Sequence, residues 1–233
     1  MDRPIDKTRK LPLAVLAAAC LLQAAQTAVA VHWQIAPAVT YPALKLLMIA
    51  VPLLAWRWTR RGRREVALLA GLKRTNLLAG LATGLLAAGV ILGGYYLVLA
   101  GRIDAGGLVA KARSLGLLER YWLMALGISL GNALFEEYYW RAFIFGELSD
   151  RLASPAAVAA VGGALFGLHH VFAMGSLFPP AWVALFVLGT MVAGAVWSAM
   201  RSAGVAIWDC YLSHVMADLA IMWVGWDMIS KAT

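Results

Sequence analysis

Hydrophobic residues run along this chain in blocks of about twenty, separated by short polar breaks. Crossing a bilayer as a helix takes about 20 apolar residues, and seven blocks fit: 11–31, 38–58, 76–100, 121–145, 155–175, 180–200 and 203–225. The stretches 77–100 and 156–168 are apolar all round and leave no polar stripe to face water. The pattern predicts an all-α polytopic transmembrane bundle of seven spans. An eighth half-span or re-entrant piece would move the C-terminus to the other side. Pro179-Pro180 breaks the chain before the sixth block. Between the third and fourth blocks, Leu108, Leu115, Leu117 and Leu118 stand among Arg102, Lys111, Arg113 and Arg120. That mixture predicts an amphipathic segment resting on the bilayer surface.

Three blocks carry polar residues that a lipid-facing helix does not tolerate. They are Glu136-Glu137-Tyr138-Tyr139-Trp140-Arg141, Phe166-Gly167-Leu168-His169-His170 and His214-Val215-Met216-Ala217-Asp218. An ionisable group at the bilayer centre costs roughly 2.5–3.5 kcal/mol on insertion scales. Two glutamates, an arginine and an aspartate therefore carry about 10 kcal/mol before pairing. Such groups belong in a bundle interior, facing one another. Glu136 lies about 22 Å along its helix from Tyr121 at 1.5 Å per residue, and the other two motifs sit at comparable depth. One shared polar site is the simplest arrangement.

Composition agrees with the membrane reading: 233 residues, 62% hydrophobic, 14% charged, mean hydropathy +0.76. The net charge of +8 would suggest nucleic acid in a soluble protein. Here the basic residues flank hydrophobic blocks, so no nucleic-acid partner is expected. Arg57, Arg60, Arg61, Arg63, Arg64, Lys73 and Arg74 share one loop, which positive-inside topology places in the cytoplasm. The basic stretch from Met1 to Lys10 then puts the N-terminus on the same side. It precedes a long apolar run without a clear small-residue cleavage pattern, so that run reads as a retained span. The 146–154 loop is cytoplasmic in this scheme. Cys20 and Cys210 lack any paired spacing and read as buried thiols. Trp33, Trp56, Trp58, Trp122 and Trp226 near span ends read as interfacial anchors. Tyr139 and Trp140 read as packing residues, Lys45 as snorkelling outward, and Gly162, Gly163 and Gly167 as a face for close helix approach.

Glu137 and Arg141 are four apart and share a helix face, as an intramembrane ion pair would. Glu136 points about 100° away and needs a partner from another helix. A carboxylate among apolar walls can serve as a general base on water. Phe166 and His170 repeat the four-residue spacing. His169 points elsewhere than His170, so one imidazole of the two faces the site. His214 and Asp218 repeat the spacing again, either as interhelical glue or as a histidine oriented by a carboxyl group towards a developing oxyanion.

Glu-Glu-x-x-x-Arg, Phe-x-x-x-His and His-x-x-x-Asp, in that order on separate spans, resemble the CPBP family, the CAAX-protease and bacteriocin-processing (Abi) proteins. The matching residues are Glu136, Glu137, Arg141, Phe166, His170, His214 and Asp218. The resemblance covers 121–225 as a catalytic core and leaves 1–120 as accessory spans of the same membrane domain. It implies an intramembrane endopeptidase of the glutamic type. By that likeness Glu136 activates a water, His170 helps hold it, and His214 with residue 218 stabilises the oxyanion. Glu137 and Arg141 brace the site. Relatives of the eukaryotic branch often carry Asn at the last position. An ionised Asp cannot donate a hydrogen bond, so Asp218 either is protonated or orients His214.

No cofactor is expected. The alternative is Zn2+ at Glu136, His170 and His214, although the compact His-Glu-x-x-His arrangement is missing. Expected partners are the lipid bilayer and a membrane-associated protein or peptide. Its cleaved part would be a peptide precursor, a lipidated C-terminus or a C-terminal sorting tail. The alanine- and arginine-rich composition points to a bacterial inner membrane. Two other functions fit the motifs less well: a non-catalytic scaffold or immunity protein on the same fold, and a proton-coupled transporter. The latter lacks a visible repeat.

Overall fold

The computed structural model describes residues 10–59, 77–114, 116 and 118–232. Those residues form eight helices and no strand: α1 Leu13–His32, α2 Pro37–Thr59, α3 Leu77–Leu99, α4 Gly106–Ser114, α5 (residues 121–149), α6 Pro155–Gly175, α7 Pro180–Ser202 and α8 Ile207–Ala232. Most of the basic loop (Arg60, Arg61, Arg63, Arg64, Lys73, Arg74), residues 1–9, Leu115 and Leu117 lie outside the described residues.

Polarity runs inward in these helices. On α1 the buried side chains Leu16, Ala19, Cys20, Gln23, Ala24 and Thr27 follow helical spacing, while Leu13 and Leu21 point outward. Lipid solvates leucine as well as a protein core does, so small and polar residues take the interior. Five helices are long and apolar enough to cross a membrane: α1, α2, α3, α6 and α7. The chain is an integral membrane protein. The helices at 121–149 and Ile207–Ala232 are not among the five. They carry Glu136, Glu137 and Arg141, and Asp209, His214 and Asp218, respectively.

Local sequence explains the element ends. Ser154 caps α6 by accepting from Ala157 N at 3.1 Å, with Pro155 at the first helical position. Pro42 and Pro52 lie inside α2, where each removes a backbone donor and bends the helix. The tightest pairings are α6 with α7 and α3 with α8. Glycine makes both possible. A Cβ on Gly84 would stand 3.1 Å from the Ser213 backbone of α8, and one on Gly163 would drive into the backbone of α7 at Ala195. Gly163 thus belongs to the close-approach face expected from the sequence, whereas Gly80 and Gly84 form a second one.

The core gathers Tyr139, Trp140, Phe143, Phe166, Trp197 and Trp56. Trp56 is therefore no interfacial anchor: it is 4% exposed and packs edge-on against Tyr138 and Phe143. Trp33 and Trp58 are exposed, as anchors are. Cys20 and Cys210 are free and buried. The amphipathic segment forms α4, whose Val109 and Ala112 pack with Tyr121 and Ile229. At one end of the bundle, Arg151 donates to the Leu11 carbonyl at 2.6 Å and Lys10 to the Asp150 carbonyl at 2.9 Å. The start of α1 and the end of α5 therefore lie on the same side.

Candidate active site

Helix α5 is not a plain α-helix. It runs α-helical over Tyr121–Leu126, π-helical over Gly127–Asn132, α-helical over Ala133–Glu136, π-helical over Glu137–Ile144 and α-helical again over Phe145–Ser149. The Glu136–Glu137 pair sits on the second α-to-π junction. The i→i+5 pattern is rare and concentrates at functional sites, where the widened turn re-aims side chains.

Both carboxylates point into the bundle, with Glu136 3% and Glu137 1% exposed. Around Glu136, three other helices converge. His169 Nε2 from α6 lies 3.3 Å from Oε1, and His214 Nε2 from α8 lies 3.6 Å from Oε2. Gln23 Nε2 from α1 donates to Oε1 at 2.6 Å. Asn132, one turn earlier on α5, donates to the same oxygen at 2.8 Å. The partners of Glu136 thus come largely from other helices, as its direction on α5 requires.

Glu137 faces a different set. Its Oε1 lies 2.9 Å from His214 Nδ1 and 3.6 Å from Arg141 Nε. A carboxylate only accepts, so the His214 Nδ1 carries a proton. That leaves His214 Nε2 facing Glu136 Oε2 and Asp218 Oδ1, each at 3.6 Å. The imidazole is held in plane by Trp197, stacked at 4.3 Å between ring centroids, whose indole N–H donates to Ser213 Oγ at 3.0 Å. Arg141, 1% exposed, lies with Cζ 4.3 Å from the Phe166 ring and 4.9 Å from the Trp197 ring. Two aromatic faces and one carboxylate surround the guanidinium, whose three nitrogens make no hydrogen bond among the described residues. Phe166 contacts His169, His170, His214 and Trp197, and forms the apolar wall of the site.

Of the two adjacent histidines, His169 is the one against Glu136. His170 stacks on His169 with centroids 3.9 Å apart, and its Nδ1 has no hydrogen-bond partner among the described residues. Adjacent residues on a helix differ by about 100°, so only one ring reaches a given point. Zinc would need three or four ligand atoms at about 2.0–2.2 Å. Here two amide N–H groups already point at Glu136 Oε1, and no cluster of three or more His, Cys, Asp or Glu suited to a metal occurs among the described residues.

The match with known proteins falls on this same part of the chain. Residues 118–220 match the family described as Type II CAAX prenyl endopeptidase Rce1-like. That family is the CPBP family, and the match covers less than half of the chain. The matched residues hold all the motif residues from Glu136 to Asp218 and end within α8. No curated protein and no solved structure matches the chain. The matched family is one of membrane proteases, and α1 to α3 lie outside the matched segment. Gln23, which reaches the site from α1, escaped the sequence reading because a single uncharged amide in an apolar span gives no signal. Lys45 reads from the sequence as snorkelling outward. Yet Lys45 donates to Asn132 Oδ1 at 2.7 Å, so it turns inward.

Proposed function

We propose that this chain is an intramembrane endopeptidase of the glutamic type, with Glu136, His214, Asp218 and the 169–170 imidazole pair as its reacting centre. The observation that carries the reading is the convergence of His169 and His214, each within 3.6 Å of Glu136 and each from a different helix, inside the family-matched segment. Glu136 takes a proton from water, and the water oxygen attacks the scissile carbonyl carbon. His214, as the imidazolium with its Nδ1–H held by Glu137, turns its Nε2–H to the oxyanion. The tetrahedral intermediate collapses, and Glu136 returns its proton to the departing amine, so water is divided between the two products. His169 and His170 hold the water. Asp218 orients His214. Glu137, Arg141 and Phe166 keep the imidazole and carboxylate in place. The reaction needs no metal, because the base and the oxyanion donor are both side chains.

The substrate is a membrane-associated protein or peptide cut near its end: a precursor peptide, a lipidated C-terminus or a sorting tail. An open, mostly apolar pocket of about 470 Å³, lined by His32 of α1, Phe172 of α6, Phe178 of the turn after it and Val183 and Val187 of α7, suits an apolar segment of it. The chain has seven spans, α5 and α8 joining the other five, in a bacterial inner membrane with the N-terminus in the cytoplasm. The contacts of Arg151 and Lys10 support that topology, since basic residues gather at the end where α1 starts.

The test is co-expression with small tail-bearing membrane proteins, read by mass. A shortened product that Glu136→Gln abolishes supports the proposal. Equal shortening with Glu136→Gln refutes it.

A further inference from the structure

Glu136 accepts from two carboxamides on one oxygen, and each carboxamide is locked by a group that can only donate. The Trp140 indole N–H donates to Gln23 Oε1. An indole nitrogen has no acceptor role, so the other end of the Gln23 amide is the NH2, which meets Glu136 Oε1 at 2.6 Å. Its second proton faces His169 Nε2 at 3.1 Å. The same logic repeats on the other side. The Lys45 ammonium donates to Asn132 Oδ1 at 2.7 Å. An ammonium has no acceptor either, so the Asn132 NH2 is the end that meets Glu136 Oε1 at 2.8 Å. Gln23 is 2% exposed. Neither amide can flip without placing two donors or two acceptors face to face.

We infer that Gln23 and Asn132, locked by Trp140 and Lys45, are positioning residues that clamp Glu136 Oε1 and leave Oε2 as the oxygen that takes the proton from water. Oε2 faces His214 Nε2 at 3.6 Å, beyond a hydrogen bond, and its side of the carboxylate is the one nearest the oxyanion donor. A carboxylate free to rotate would offer either oxygen in many directions. Held by two amide donors, it presents one oxygen in one direction, which is what a general base requires. Half of this clamp comes from α1 and α2, outside the family-matched segment 118–220. The reacting centre is therefore incomplete without the N-terminal helices.

This inference rests on the proposed peptidase reading, and the experiment separates the two. Purified full-length protein is assayed on a cleaved tail peptide, with kcat, KM and melting temperature measured for Gln23→Met, Trp140→Phe, Asn132→Leu, Lys45→Met and the pairs Gln23→Met/Trp140→Phe and Asn132→Leu/Lys45→Met. Glu136→Gln supplies the background. Removing one oriented hydrogen bond to a charged group lowers kcat roughly 10–100-fold, with KM within about twofold where binding is untouched. Each lock variant lowers kcat when its amide is present and changes nothing further once the amide is gone. A purely structural role would lower melting temperature without that dependence. Trp140→Phe keeps an aromatic ring and Lys45→Met keeps chain length, so the answer survives if an amide variant fails to fold: loss of kcat by both, at unchanged KM, supports the clamp. Full kcat in Gln23→Met and Asn132→Leu, or in both lock variants, while Glu136→Gln is dead, overturns the clamp alone. An active Glu136→Gln overturns the peptidase reading and the clamp with it.

Discussion

At the residue scale, the site is a problem of keeping charge in an apolar medium. Glu137 and Arg141 sit at 1% exposure each, and neither has water to fall back on. Removing one partner of a buried pair leaves the other uncompensated, at about 3–5 kcal/mol. Arg141→Ala is expected to destabilise by that amount, seen as a lower melting temperature in detergent, whereas Arg141→Lys loses less but forfeits the flat contact with Phe166 and Trp197. A stability of Arg141→Ala equal to wild type would show that Glu137 does not depend on Arg141 for compensation. The two histidines make a second test. His169→Ala is expected to reduce cleavage by about 10²-fold or more, the range for a group acting on the reacting water, because its Nε2 lies 3.3 Å from Glu136. His170→Ala is expected to cost less, since its ring stacks on His169 and it is His169 that lies against Glu136. The reverse order in initial rates would place His170 on the water.

Charged residues in apolar blocks announce themselves, which is why Glu136, Glu137, Arg141, His214 and Asp218 were legible from sequence. Amides do not. Gln23 is 113 positions from Glu136, and nothing local to α1 distinguishes a buried glutamine from one turned to a headgroup. Lys45 was misread for the same reason: snorkelling outward and bonding Asn132 inward look identical in sequence.

At the scale of elements, helix existence followed from block length, and burial did not follow from hydropathy. Two of the helices that carry the chemistry, α5 and α8, fall outside the five apolar spans, because the residues that make the site also lower their hydropathy. The π-helical turns of α5 have no sequence signature, and neither does the inward turn of Trp56. Helix approach can be tested directly. Gly84 lies against Ser213, one residue before His214. Gly84→Leu is expected to push α3 from α8, at about 1–3 kcal/mol or more for overpacking, and to cost activity out of proportion to stability by shifting His214. Gly89, where a Cβ meets nothing within 4 Å, should accept leucine with both properties unchanged. Equal tolerance at the two positions would contradict the packing described.

At the scale of the whole molecule, the family-matched segment and the functional unit do not coincide. Residues 118–220 carry the motifs, but α1 contributes Gln23 and accepts the Tyr139 hydroxyl on its Ala19 carbonyl at 2.7 Å. Topology has its own measurement. Impermeant thiol labelling at Ser154→Cys is expected from the cytoplasmic side only, with buried Cys20 and Cys210 silent; labelling from the outer side of intact cells would invert the orientation. Metal dependence is equally direct: an active preparation is expected to lack stoichiometric zinc and to keep its rate in chelator, whereas a rate that falls with chelation and returns with zinc would make the metal part of the site.

The most direct trial of the central claim is the cleavage rate of a membrane-tail peptide by purified protein in liposomes, for wild type against Glu136→Gln of matched folding. The account predicts cleavage by wild type and a loss of at least about 10²–10⁴-fold in the variant, the contribution of a positioned general base. A Glu136→Gln protein that cuts at the wild-type rate would contradict it.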